Sequence, residues 1–203
     1  MTWWMELFFL PPAAFLVGSI PWGMLLTRAF SSVDITREGS GNIGATNVKR
    51  TTGWILGLLT LLGDIGKGVL PVVIAKGLFP APDLWGELFM ALIAFLAVLG
   101  HLFPIYTRFR GGGKGVATVA GCFGALSPVA LLILVMVFIM MLCYFNRVSL
   151  ASLSAALTAP VVLWQATLSP VFTGFAITSA FLISIRHKDN IRRLIRGIEP
   201  PFL

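Results

Sequence analysis

The sequence predicts an all-α integral membrane protein, with seven transmembrane helices in one bundle, the N-terminus outside and the C-terminus cytoplasmic. Three observations predict it. The 203 residues are 57% hydrophobic and 11% charged, with a mean hydropathy of +0.92, outside the range of soluble domains. The apolar runs are long and unbroken, which fits helices that satisfy their own backbone in lipid and not the alternating strands of a barrel. Finally, most of the 15 Lys and Arg residues gather in the interruptions between those runs, as cytoplasmic loops do.

With about 20 apolar residues needed per crossing, the spans are read at residues 7–30, 53–78, 84–103, 116–126, 128–144, 150–168 and 171–185. Residues 1–6 lack the positive start and small-residue cleavage site of a signal peptide, so the first run is expected to be retained, with Trp3 and Trp4 in the interfacial belt. Residues 116–144 are too long for one simple crossing, and Ser127-Pro128 is a natural hinge. Charge decides. Arg37, Lys49, Arg50, Arg108, Arg110, Lys114 and the basic tail at 186–196 belong inside, and the cation-free hairpin Pro80-Ala81-Pro82-Asp83 outside. A single helix over 116–144 would strand Arg147 and the tail on the wrong side, whereas a split at Pro128 returns both to the cytoplasm. One membrane-embedded domain over 1–203 follows, with no internal repeat. Cys122 and Cys143 lie in apolar surroundings at no ligand spacing, so neither disulfide nor zinc is expected.

Gly39-Ser40-Gly41-Asn42-Ile43-Gly44 matches G-x-G-x-x-G, but it follows a membrane helix where a dinucleotide fold needs a strand, so no nicotinamide or flavin is implied. The local physics survives: glycines permit positive φ, successive N–H groups form a concave nest, and Ser40, Asn42, Thr46 and Asn47 add donors suited to phosphate. If residues 45–50 begin a helical turn, its N-terminal donors would also favour an anion, and Lys49 and Arg50 follow. The plain alternative is a tight loop that re-enters the bundle. Arg110-Gly111-Gly112-Gly113-Lys114-Gly115 is not a Walker loop, since Gly follows the lysine and no strand leads in. It reads as a second glycine nest opening a helix, with Lys114 as a point charge for phosphate.

Asp64 and Lys67 sit in the second span at i, i+3, either paired with each other or facing substrate. His101 at the end of the third span reads as a packing histidine, and Ser149 and Ser152 as helix caps or donors. In the tail, Arg186, His187 and Asn190 share one helical face; a lipid-headgroup anchor is the alternative role. There is no G-x-S-x-G elbow, no H-E-x-x-H helix, no carboxylate cluster for magnesium and no His-x4-Asp acyltransfer pair. An enzyme made of these parts would need no metal or cofactor and would work by positioning and charge stabilisation. The basic balance is a membrane-topology signal, so no nucleic acid is expected, nor any obligate protein partner.

Six segments, taken in order, resemble the bacterial acyl-phosphate:glycerol-3-phosphate acyltransferase family, PlsY. They are Gly39-Ser40-Gly41-Asn42-Ile43-Gly44-Ala45-Thr46-Asn47-Val48, Gly63-Asp64-Ile65-Gly66-Lys67-Gly68, Gly100-His101-Leu102-Phe103-Pro104, Gly113-Lys114-Gly115-Val116-Ala117-Thr118, Val148-Ser149-Leu150-Ala151-Ser152 and Arg186-His187-Lys188-Asp189-Asn190-Ile191-Arg192-Arg193-Leu194. The resemblance implies transfer of a fatty acyl group from acyl phosphate to the 1-hydroxyl of sn-glycerol 3-phosphate, giving lysophosphatidic acid and inorganic phosphate at the cytoplasmic side of a bacterial inner membrane. It also implies that Ser40, Gly41, Asn42, Thr46 and Asn47, with Gly44, receive the acyl-phosphate head. Arg50, Lys114, Ser152, His187 and Asn190 would grip glycerol 3-phosphate, with Gly113, Gly115 and Arg186 beside them. Ser40, Asn42, Lys114, His187 and Asn190 would act in catalysis, supported by Asp64, Lys67 and His101. One departure is visible: the family shows two glycines between Phe-Lys/Arg and Lys-Gly, whereas Phe109-Arg110 here is followed by three.

Acyl phosphate is already activated, so direct attack by the hydroxyl is expected, with either a substrate phosphate or His187 taking the proton. An organic-phosphate carrier and a lipid-binding scaffold are the rival classes; neither would release phosphate from acyl phosphate.

Overall fold

The computed structural model describes residues 3–79 and 83–202, with side chains from residue 7 onward. Met1, Thr2, the hairpin residues Pro80, Ala81 and Pro82, and the side chains of Trp3 and Trp4 lie outside that description. Ten α-helices and one 3-10 turn, and no strand, occur among the described residues: α1 (Trp3–Gly18), α2 (Trp22–Phe30), α3 (Ala45–Thr52), α4 (Trp54–Leu78), α5 (Leu84–Leu102), α6 (Val116–Leu126), α7 (Pro128–Phe145), α8 (Val148–Thr167), α9 (Pro170–Arg186) and α10 (Lys188–Ile195). Four stretches are long and apolar enough to cross a bilayer, Trp54–Leu78, Leu84–Thr107, Pro128–Phe145 and Val148–Thr167. The chain is thus an all-helical membrane protein. On α7 the side chains of Val129, Leu132, Met136 and Met140 are all more than 60% exposed, a surface suited to lipid and not to water.

The first apolar run is not one straight helix. Leu7–Gly18 and Trp22–Phe30 meet at 47°, a fifth candidate crossing only if the bent pair is one span. Pro21 has no N–H to continue the ladder, and the Ser19 hydroxyl donates back to the Phe15 carbonyl at 2.8 Å. A break within lipid leaves carbonyls that water cannot reach; here Lys67 Nζ donates to Ile20 O at 2.9 Å. Elsewhere the helix ends follow local chemistry. Asp83, Ser127 and Ser169 cap α5, α7 and α9 through their side chains, the last two with Pro at the first helical position. The hinge at Ser127-Pro128 is therefore real. α6 and α9 are shorter, at 11 and 17 residues.

The chain divides into two compact units, Met1–Cys122 and Phe123–Leu203, the boundary falling inside α6. In the first, α1 and α5 touch through small residues: a Cβ added to Gly18 or Gly100 would collide with the backbone of Ala97 or Phe15. Ile35 and Ile43 leave the 31–44 loop to pack with Met24 and Val48 against Leu56, which anchors that loop on α2, α3 and α4. In the second, α8 packs between α7 and α9, and α10 rests on α8 and α9.

Candidate active site

The 39–47 loop takes its shape from a single amide. Gly39 and Gly41 adopt φ of +61° and +66°, a left-handed region that other residues enter at a cost. Asn47, buried in the first turn of α3, accepts the Ser40 N–H at Oδ1 (2.9 Å) and donates from Nδ2 to the carbonyls of Glu38 and Asn42, both at 3.0 Å. Its polar atoms thus serve the loop, a structural commitment that the sequence alone reads as donor capacity for substrate. Around this ring Ser40 and Arg50 are exposed, and Gly41, Asn42, Gly44 and Thr46 are half-buried. Asn42 closes an Asx turn by accepting the Gly44 N–H at 2.9 Å, and its Nδ2 reaches Gly112 O at 3.5 Å. Two glycine-rich segments 70 residues apart therefore meet.

The second loop absorbs its additional glycine on the outside. Arg108, Phe109 and Gly111 all have positive φ (55°, 61° and 67°), and a side chain at Gly111 would meet open space. Gly112 and Gly113 are instead buried and packed. A Cβ on Gly112 would strike the Leu102 carbonyl, and one on Gly113 would strike the His101 ring. The Gly113 N–H donates to His101 O at 3.1 Å. Half-buried Lys114 follows, then Gly115 at φ +92°, then α6.

Beneath this loop lie Asp64, Lys67 and His101, each 3% exposed. Asp64 Oδ1 stands 3.0 Å from Lys67 Nζ and 3.6 Å from His101 Nδ1. Of the two roles open to Asp64 and Lys67, the geometry gives mutual pairing.

The second unit carries Ser152, Arg186, His187 and Asn190. The tail is not one continuous helix: α9 ends at Arg186 and α10 starts at Lys188. At the joint His187 Nδ1 binds its own i−4 carbonyl, Ile183 O, at 2.8 Å, a side-chain bond of the kind that perturbs a helix. A carbonyl can only accept, so Nδ1 carries a proton, and in the neutral tautomer Nε2 is the accepting nitrogen. Because the helix breaks at His187, the single face expected of Arg186, His187 and Asn190 is not kept: His187 and Asn190 are buried and Arg186 is half-buried, while Ser152 is buried one turn beyond Ser149 on α8.

Sequence reasoning missed Glu199. The last stretch folds back so that Glu199 Oε1 accepts from Ser149 Oγ (2.7 Å) and Asn190 Nδ2 (2.6 Å), while Oε2 accepts from Arg193 Nε (2.6 Å). Burial pushes its carboxyl up, but these three donors outweigh burial and hold it below the ordinary glutamate range. The available signal was an acid, between Gly197 and Pro200, at the end of a strongly cationic tail. No three His, Cys, Asp or Glu side chains among the described residues gather to hold a metal ion.

Comparison with known proteins gives one answer. Residues 8–197 match the family described as glycerol-3-phosphate acyltransferase. The glycerol-3-phosphate acyltransferase of Syntrophotalea carbinolica is 43% identical over 94% of each chain, and that of Geobacter sulfurreducens 43% identical over 95% of this chain and 96% of its own. A crystal structure of PlsY (YgiH), an integral membrane glycerol 3-phosphate acyltransferase in its glycerol 3-phosphate form, aligns with a TM-score of 0.91 at 36% identity, over 98% of this chain and 96% of that one. The lysophosphatidic acid form aligns with a TM-score of 0.87.

Proposed function

From the premise that this chain belongs to the glycerol-3-phosphate acyltransferase family, we propose that its acyl donor is acyl phosphate and that its products are lysophosphatidic acid and inorganic phosphate. The observation that carries this reading is the meeting of two glycine-rich loops at Asn42 and Gly112, with Lys114 two residues on: short polar side chains and one point charge beside closely approaching backbone. Such a site stabilises charge and offers no covalent nucleophile, which suits a donor whose leaving group is already good.

The 1-hydroxyl oxygen of glycerol 3-phosphate attacks the acyl carbonyl carbon, a new C–O bond forms, and the C–O bond to phosphate breaks. The leaving group departs as inorganic phosphate, and a substrate phosphate oxygen takes the hydroxyl proton. Ser40, Gly41, Asn42, Gly44 and Thr46 hold the acyl-phosphate head in a loop kept in shape by Asn47. In the first unit Lys114 and Arg50 bring charge to glycerol 3-phosphate, with Gly113 and Gly115 letting the backbone come close; in the second, Ser152, His187, Asn190 and Arg186 are its candidate donors. In this scheme His187 orients substrate through Nε2. The pH–rate profile of His187→Gln tests that: a limb near neutral pH that disappears, with binding intact, would make His187 the base instead.

The same proposal places a single catalytic domain over the whole chain, with seven crossings, the N-terminus outside, the C-terminus inside and the site on the cytoplasmic face of a bacterial inner membrane. The clustering of Arg and Lys in the 37–50, 108–114 and 186–196 segments supports it. Purified protein given acyl phosphate should form lysophosphatidic acid only when glycerol 3-phosphate is present, and none from acyl-CoA. Equal use of acyl-CoA would overturn the choice of donor.

A further inference from the structure

We propose that Asp64, Lys67 and His101 form a buried post whose task in the reaction is to hold Lys114 in register for the anionic substrate. This rests on the reading of Lys114 as a grip for glycerol 3-phosphate. The three are positioning residues.

Charges this deep in a helical bundle are costly, and a pair that only stabilised the fold could be replaced by packed apolar side chains at little loss. The arrangement here does something those side chains could not. At one end, Lys67 Nζ donates to Ile20 O at the bend between α1 and α2, fixing α4 to that break. Lys67 also pairs with Asp64 Oδ1 at 3.0 Å, and the same oxygen lies 3.6 Å from His101 Nδ1, so the imidazole of α5 packs beside the pair. At the other end, the ring fills the space above which only a glycine fits at 113, and His101 O receives the Gly113 N–H at 3.1 Å. Lys114 is the next residue. On its outer side the loop bulges at Gly111 into open space, so its inner seat on His101 and Leu102, together with Asn42, defines where the lysine emerges. A shift of about 1 Å in a positioning group can lower turnover on the order of 10²-fold, which gives such a post a catalytic consequence without contact to substrate.

The test is a double-mutant cycle between His101 and Lys114 on the full-length purified protein, followed by steady-state kinetics in each substrate. His101→Ala is expected to raise KM for glycerol 3-phosphate and to lower kcat/KM for it on the order of 10²-fold, with KM for acyl phosphate unchanged. In His101→Ala/Lys114→Ala the loss should be no larger than in Lys114→Ala alone, because His101 acts through Lys114. Losses that multiply, or a lower kcat with both KM values unchanged, would overturn the proposal and leave His101 a packing residue. Gly113→Ala is the second variant, since it disturbs the seat without removing a buried charge. It should reproduce the rise in KM for glycerol 3-phosphate, and wild-type kinetics for it would also overturn the post. Lys114→Ala with wild-type kinetics would sink the reading of Lys114 itself, an outcome distinct from failure of the post.

Discussion

The 39–47 loop and the C-terminal cluster both present donors suited to phosphate, yet they are built in opposite ways. In the loop the N–H groups of Ser40, Gly41 and Gly44 bond within the loop, which leaves short side chains such as exposed Ser40 to face outward, and the shape is held by an asparagine whose donors turn inward. In the cluster the groups are side chains on the ends of helices, and a carboxylate, Glu199, accepts from one of them, Asn190, and from Ser149 and Arg193 beside them. The loop should therefore fail through geometry when its organiser is lost, and the cluster through charge and pH. The lesson is that donor counts in a sequence do not separate groups that meet substrate from groups that shape the site.

The largest effects are expected where the loop's support is charged. Asp64→Asn or Lys67→Met alone leaves one buried charge unpaired and should destabilise the protein by about 3–5 kcal/mol, whereas the double variant should regain most of that; thermal unfolding in detergent reads both. Next comes the loop's own organiser. Asn47→Ala removes three hydrogen bonds of 3.0 Å or less and should cost about 2–3 kcal/mol together with most of the activity. Asn47→Asp, which keeps the acceptor for Ser40 but turns a buried carboxylate oxygen toward the carbonyls of Glu38 and Asn42, should cost more than Asn47→Ala.

For the cluster, the sharpest prediction is in pH. The Glu199 carboxyl sits below its unfolded value, so its stabilisation is fully present above about pH 4.3, the ordinary glutamate value, and is lost as pH falls through the still lower folded value. Glu199→Gln should flatten that acid limb of the unfolding midpoint; an unchanged limb would assign it to other carboxylates. The smallest effect belongs to Arg192. Its 3.3 Å pair with Asp189 is exposed, and Arg192→Ala should change stability by less than about 1 kcal/mol.

How much of this the sequence displays depends on how local the cause is. The breaks at Ser127-Pro128 and Ser169-Pro170 are written in adjacent residues, and so are both glycine loops. The bend at 19–21 is written only in part, since Ser19 and Pro21 are local but the lysine that relieves its open carbonyl comes from residue 67. Glu199 is illegible for the same reason, because its partners lie 6, 9 and 50 residues away and meet only once the tail turns back. The third glycine looks in sequence like a threat to the placement of Lys114, but the backbone confines the excess to exposed Gly111. Asn47 was found as a site residue, yet its work is inside the loop.

The central claim is that the loop and the cluster hold different anions of one reaction, and substrate titrations of Ser40→Ala and Asn190→Ala test it most directly. The account predicts that Ser40→Ala raises KM for acyl phosphate alone and Asn190→Ala raises KM for glycerol 3-phosphate alone. The reverse assignment, or equal rises in both constants for each variant, would contradict it.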